Sequence, residues 1–301
     1  MVASFLLTAD FWDSAIRVTG PIALAAVAAA LCSRAGILFI GIEGVMLVAA
    51  FFSIAGTIWT DSVWLGVLVA VGSGIAASLV FGVLSMTLRM GDVVAGLVVD
   101  VGALGLTGFF KDQWFPNGAT IGAHSLGPLW GSVAGGVGRV LFHQQPLVYA
   151  AVVAAVLLQL FLRTRWGLIV RSSGESTRVA RSFGIDLVRL RFLVLAVAGA
   201  IVALGGATIG LAIVGTFDVN VVSGRGFIGL ACVMLGGWRP VGAVVAALLF
   251  GVAYALQFRV TGIGGWAQLF PYVLTLVALA TFWGRAQGPA EEGRGLDDDS
   301  R

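Results

Sequence analysis

Long apolar runs alternate with short polar breaks along almost the whole chain. A helix that crosses a bilayer needs ~20 mostly apolar residues, and the runs predict spans over 12–32, 36–58, 63–88, 91–110, 146–162, 191–214, 240–258 and 268–284. A shorter apolar piece at 227–235 is broken by Gly224, Gly226, Gly229, Gly236 and Gly237. The expected fold is all-α, a multi-pass transmembrane helical bundle of about 8–10 spans, with one domain over 1–285. Residues 111–143 are less hydrophobic and hold Trp114, Pro116, Pro128 and Trp130. They predict an external loop with an interfacial helix anchored by tryptophan. The polar run 286–301 predicts a disordered tail.

The glycine breaks are not scattered. The second span holds Gly36, Gly41 and Gly44 around Glu43, and the short piece holds Gly224 and Gly226 around Arg225. Each is followed by a similar stretch, SGIAASLVFGVL at 73–84 and GAVVAALLFGVA at 242–253. Two such copies running in opposite directions form an inverted repeat, and paired glycine-interrupted segments point to a translocation path.

Charge sets the orientation. Residues 163–191 carry Arg163, Arg165, Arg171, Arg178, Arg181, Arg189 and Arg191 between apolar runs, which marks a cytoplasmic loop. Alternation then places Arg34, Arg89, Arg239 and Arg285 inside, and 111–143 and 259–267 outside. The N-terminus is external and the tail cytoplasmic. Within the loop, Ser172 or Ser173 can cap a short helix with Glu175 in its first turn. Gly184 can end that helix, and Asp186 can cap the next one, starting at Leu187. The loop is either a plain positive-inside connector or a helix that docks into another protein, with Arg178, Arg181, Val179, Ala180 and Phe183 as its contacts.

Composition agrees with a membrane protein. The chain of 301 residues is 59% hydrophobic and 11% charged, with mean hydropathy +1.01, against ~25% charged in soluble domains. Asp10 and Asp13 precede the first basic residue, Arg17, the wrong polarity for a cleaved signal peptide. Cys32 and Cys232 lie inside apolar runs and imply no disulfide framework. The only lysine, Lys111, follows Phe110, so the chain has no phosphate-binding Gly-Lys-Ser/Thr loop. ATP, if it drives this protein, is used by another chain.

Glu43, Asp100, Asn220 and Phe227 are the candidates for a substrate path. An acid at bilayer depth is costly and faces a cavity or a partner. Glu43 sits among glycines whose exposed backbone N–H groups need an acceptor, which favours a structural role. Asp100 lies in an unbroken helix with no such amides of its own, which favours the path. Phe217, Phe227 and Trp238 can stack on a base or sugar, and such residues are more often interface anchors or lipid-facing. Neither His124 nor His143 has a second His, Cys or acid at ligand spacing, and no nucleophile stands beside a base, so neither a metal site nor a catalytic residue is expected.

Several stretches together carry a family resemblance: SRAGILFIGIEGVMLVAAF (33–51), TLRMGDVVAGLVVDVGALGLTGFF (87–110), LFHQQPLVYAA (141–151), RWGLIVRSSGESTRVARSFGID (165–186) and GRGFIGLACVMLGGWRPVGAVVAALLFG (224–251). In this order they resemble the membrane permeases of bacterial ABC importers, in the branched-chain amino acid and simple-sugar permease superfamily, and are most similar to its purine-nucleoside type. The resemblance implies a permease without a catalytic site or cofactor of its own in the bacterial inner membrane. It implies import by alternating access of a nucleoside or simple sugar, driven by a cytoplasmic ATP-binding subunit that holds ATP and Mg. It implies a second, related permease in a heterodimer, an extracytoplasmic substrate-binding lipoprotein meeting 111–143, membrane lipid, and no nucleic acid. Arg171, Gly174, Glu175, Arg178, Ala180, Arg181 and Gly184 fall where that family couples to its ATPase. The chain departs from the family pattern at Ser33, where Glu is usual, and at Phe39 and Asp100, where Asn is usual. The residues alone also fit a secondary transporter coupled to an ion gradient through Asp100 and Glu43, or a passive channel.

Overall fold

The computed structural model describes residues 9–116, 118, 144–259, 273 and 288–293. Helix α1 is Ala9–Arg34, α2 Ile42–Thr60, α3 Val63–Gly82 extended by a π turn Val83–Thr87, and α4 Asp92–Trp114. Helix α5 is Pro146–Phe161, α6 Arg165–Glu175, and α7 Thr177–Ser182. Helix α8 is Leu187–Ala207 extended by a π segment Thr208–Val214, α9 is Arg225–Leu235, and α10 is Pro240–Arg259. Among the described residues there is no strand, and six helices are long and apolar enough to span a membrane, or seven if the bent pair α5–α6 is one span. The protein is an all-α, multi-pass membrane protein. The expected ninth span, 268–284, and most of the loop 111–143, with His124, Trp130 and His143, lie outside the described residues.

Helix α1 is the axis of the bundle. Ala23, Ala25, Ala26 and Ala28 are at most 1% exposed, and small side chains let neighbouring helices approach closely where lipid removes the hydrophobic drive between them. Helices α3 and α4 lie at the periphery and turn Leu68, Val101 and Phe109 outward.

Two copies of one unit interlock around α1 and α8. Helix α10 packs on α1 as α3 packs on α8, and α9 packs on α1 as α2 packs on α8. The glycines repeat the relation. A Cβ on Gly82 of α3 would meet Leu195 of α8, and one on Gly251 of α10 would meet Ala15 and Thr19 of α1. Likewise Gly206 of α8 faces Met46 and Ala49 of α2, while Gly229 of α9 faces Ala25 and Ala26 of α1. The aligned Phe81 and Phe250 are both fully buried. Helix α1 ends, and α8 begins, at the same end of the bundle: Gly36, two residues past α1, lies against Arg191 in the second turn of α8. The two copies therefore run in opposite directions, as the aligned stretches predicted.

Candidate functional site

The first N–H groups of a helix have no partner within it. Helices α2 and α9 both start inside the bundle, and both have glycine at the N-cap, Gly41 and Gly224, with no side-chain cap of their own. The missing acceptors come from other helices. Glu43 Oε1 accepts from the Gly224 N–H at 2.7 Å and Oε2 from the Gly226 N–H at 2.8 Å. Asp100 Oδ1 accepts from the Gly44 N–H at 2.7 Å. A third acid, Asp92, accepts from the Leu38 N–H at 2.9 Å and from the Ser85 hydroxyl. The Glu43 and Asp100 carboxylates also meet the positive ends of the helices that they cap.

Close approach requires glycine at two of these positions. A Cβ on Gly226 would stand 2.7 Å from Glu43 Oε2 and 2.9 Å from Glu43 Cα, and one on Gly44 would stand 2.8 Å from Asp100 Cα. The side chain beside Glu43 is Arg225, which donates to the Val221 carbonyl at 2.8 Å and lies 5.8 Å from the ring centre of Tyr254.

The candidate path residues therefore differ in what they do. Glu43 serves the broken helix, as its glycine neighbours suggested. Asp100 is 8% exposed and does serve an orphan amide, on α2 rather than on its own helix. Its Oδ2 is buried without a hydrogen-bond partner among the described residues. Asn220 is exposed in the loop before α9, where its N–H donates to Asp218 Oδ1 at 2.9 Å and its carbonyl accepts from Ser223 at 2.6 Å. Phe227 is 44% exposed in the first turn of α9. Phe217 is buried against Phe51, ring centres 4.9 Å apart, and Trp238 is buried and hydrogen-bonded. Neither is lipid-facing.

The arginine-rich segment is two helices, α6 and α7, separated by the extended residue Ser176. The bend from α5 to α6 is 84°, and the Thr164 hydroxyl caps α6 from the Gly167 N–H at 3.2 Å. The cap of α7 is Ser176, which accepts from the Val179 N–H at 3.4 Å. Ser172 and Ser173, expected to cap, instead donate back to Ile169 and Val170 carbonyls inside α6, and Glu175 ends α6 rather than opening the next helix. Gly184, at φ +77°, follows α7, and Asp186 caps α8 from the Arg189 N–H at 3.1 Å, both as expected. Arg171, Glu175, Arg178, Arg181 and Gly184 are exposed, as are Val179 and Phe183. Ala180 is fully buried in this chain's own fold, so it is not a surface contact. Gly174 is buried against the end of α1, where a Cβ would run into the Arg34 carbonyl.

Sequence reasoning missed Asp92 and Glu292, and it read Arg191 only as a loop arginine, whereas it is buried. Asp92 follows Gly91 at a helix start, a signal for a capping acid. Glu292 carries no local signal, because its partners are more than fifty residues away.

A helical bundle built from two oppositely directed copies, each with an interrupted span whose N-terminus is capped by an acid from elsewhere in the fold, is a transport-protein architecture. The family described as branched-chain amino acid transport system / permease component matches residues 12–279, and the chain belongs to it. It is 31% identical to the nucleoside ABC transporter permease protein NupC of Lactococcus lactis, over 91% of this chain and 92% of that one. It is 29% identical to the guanosine ABC transporter permease protein NupQ of Bacillus subtilis, over 91% and 92%. It is 30% identical to the putative glucose ABC transporter permease protein TsgC13 of Haloferax volcanii, over 83% and 78%. The first two organisms each hold a second permease that also matches, NupB and NupP.

Proposed function

We propose that this chain is the membrane-spanning subunit of an ABC importer for a nucleoside or simple sugar, moved by alternating access and driven by a separate ATPase subunit that binds ATP and Mg. The observation that carries this reading is the short helix α7. It stands out from the bundle with Arg178, Arg181, Val179 and Phe183 exposed, while the adjacent Gly174 is seated on the end of α1. A protruding basic and apolar helix anchored to the core suits a groove in a cytoplasmic partner, with Arg171, Glu175 and Gly184 at its margins. This puts the Arg34 end of the bundle and the tail in the cytoplasm of a bacterial cell, and the N-terminus outside. The names of the relatives support a nucleoside or sugar as cargo, and the pairs NupB/NupC and NupP/NupQ support a second permease in a heterodimer. A substrate-binding lipoprotein would deliver the cargo to the outer face. The unused Asp100 Oδ2 would accept a cargo hydroxyl on a path flanked by Glu43, Asn220 and Phe227.

The test is the double variant Arg178→Glu/Arg181→Glu in proteoliposomes that hold the complete complex. ATP hydrolysis and solute uptake are expected to separate, with uptake lost and the protein still in the membrane. Unchanged uptake would remove the coupling role. Uptake by this chain alone on an ion gradient would replace the importer with a secondary transporter.

A further inference from the structure

Residues 288–293 lie across the Arg34 end of the bundle and touch four of its parts. The Glu292 carboxylate accepts from the Ser33 hydroxyl at 2.5 Å and from the Trp238 indole N–H at 2.8 Å. These two residues end α1 and precede α10, so one side chain joins the two repeats. The Glu291 N–H donates to the Gly174 carbonyl at 3.0 Å, at the foot of α7. Gly293 stands over Leu38 in the turn before α2, and Pro289 is buried. Arg34 closes the cluster by donating to the Trp238 carbonyl at 2.8 Å.

Charge suits the same placement. Two acids, Glu291 and Glu292, lie among Arg34 and Arg191, both of which feel their fields. Arg191 is 3% exposed, and its Nε and Nη2 have no hydrogen-bond partner among the described residues. A buried guanidinium needs negative charge nearby, and Glu291 and Asp92 supply it. Of the tail expected to be disordered, this segment is packed on the body.

We propose that residues 288–293 form a strap in which Glu292 and Glu291 are positioning residues for transport. They tie the Gly174 end of the coupling segment to Ser33 in one repeat and Trp238 in the other. A push on α7 then reaches both halves of the bundle together. Without the strap, α6 and α7 keep the seat of Gly174 on α1 and the chain connection to α8, and lose the link through Glu292 to Trp238.

The inference rests on the coupling role proposed above, and the experiment separates the two. Complete complexes in proteoliposomes would carry the wild-type chain, Glu292→Ala, or a chain ending at Gln287. In the two variants ATP hydrolysis is expected to persist while solute taken up per ATP falls about fivefold or more, the size of an ordinary coupling free energy. A second measurement does not need transport. With Cys32→Ala and Cys232→Ala in place, Leu38→Cys and Gly293→Cys, whose Cβ atoms would stand 3.4 Å apart, should cross-link on oxidation in native membranes. Unchanged uptake per ATP in both variants, or no cross-link, overturns the strap. Uptake independent of ATP in the wild type overturns the importer reading instead, and the cross-link still reports whether the strap is seated.

Discussion

Glu43 and Gly226, 183 residues apart, hold each other in place: the carboxylate of one receives the backbone N–H of the other at 2.8 Å. The same carboxylate receives Gly224, so one side chain in the first copy of the repeat closes the start of the broken helix in the second. Glu43→Ala leaves two N–H groups without this acceptor. Each hydrogen bond to a charged group contributes ~1.5–3 kcal/mol. The variant should lose several degrees of melting temperature in detergent, and Glu43→Gln, which keeps one acceptor, should lose less.

Gly226→Ala attacks the same contact from the other side. Its Cβ would stand 2.7 Å from Glu43 Oε2, and overpacking of this kind costs ~1–3 kcal/mol. Because the two residues touch, their effects should not add. The double variant Glu43→Ala/Gly226→Ala should melt above the sum of the single losses, which a double-mutant cycle would measure.

Asp100 separates cap from path. Asp100→Asn keeps an acceptor for the Gly44 N–H and should fold normally. Asp100→Leu buries that N–H unsatisfied, at ~1–3 kcal/mol, and should lower the melting temperature. A role in the path predicts that Asp100→Asn changes the apparent KM for uptake at unchanged stability. Identical uptake by Asp100→Asn and the wild type would confine Asp100 to its cap.

The strap should respond to pH through Glu292. Burial raises its pKa above the ordinary 4.5, against the lowering effects of the Ser33 and Trp238 hydrogen bonds and of Arg34. A carboxyl with a raised pKa in the docked state favours docking most when protonated. The favourable contribution is full below 4.5 and fades as pH rises through the raised value. The cations around it, Arg34 and Arg191, keep their charge over that window. Protection of the Glu291 backbone N–H, which donates to the Gly174 carbonyl, from hydrogen exchange reports this once corrected for intrinsic rate, and should increase as pH falls towards 4.5.

Gly174→Ala tests the seat of the coupling segment. The added Cβ would run into the Arg34 carbonyl, part of the α1 backbone that cannot give way as a flexible side chain could. Displacement of the end of α6 should reduce uptake far more than it reduces the amount of protein in the membrane. Quantitative blotting beside an uptake assay would check it.

The apolar runs determined the helices, because lipid allows a backbone to cross only if every N–H and C=O is satisfied within a helix or closed barrel. Every span expected within the described residues has its helix there, with ends mostly within a few residues. The start of α2 is later than expected because 35–41 is an irregular turn held by Asp92. Gly184 and Asp186 were also legible, since a helix stop and an N-cap act within one turn of chain. What a polar side chain serves was not legible when its partner was remote. Asp100 had no orphan amide on its own helix, yet Gly44 came to it from α2. Ser33 and Trp238 met through Glu292, and only the tertiary structure decided this. Hydropathy is a property of a stretch of chain, whereas a hydrogen bond between helices depends on which faces packing brings together.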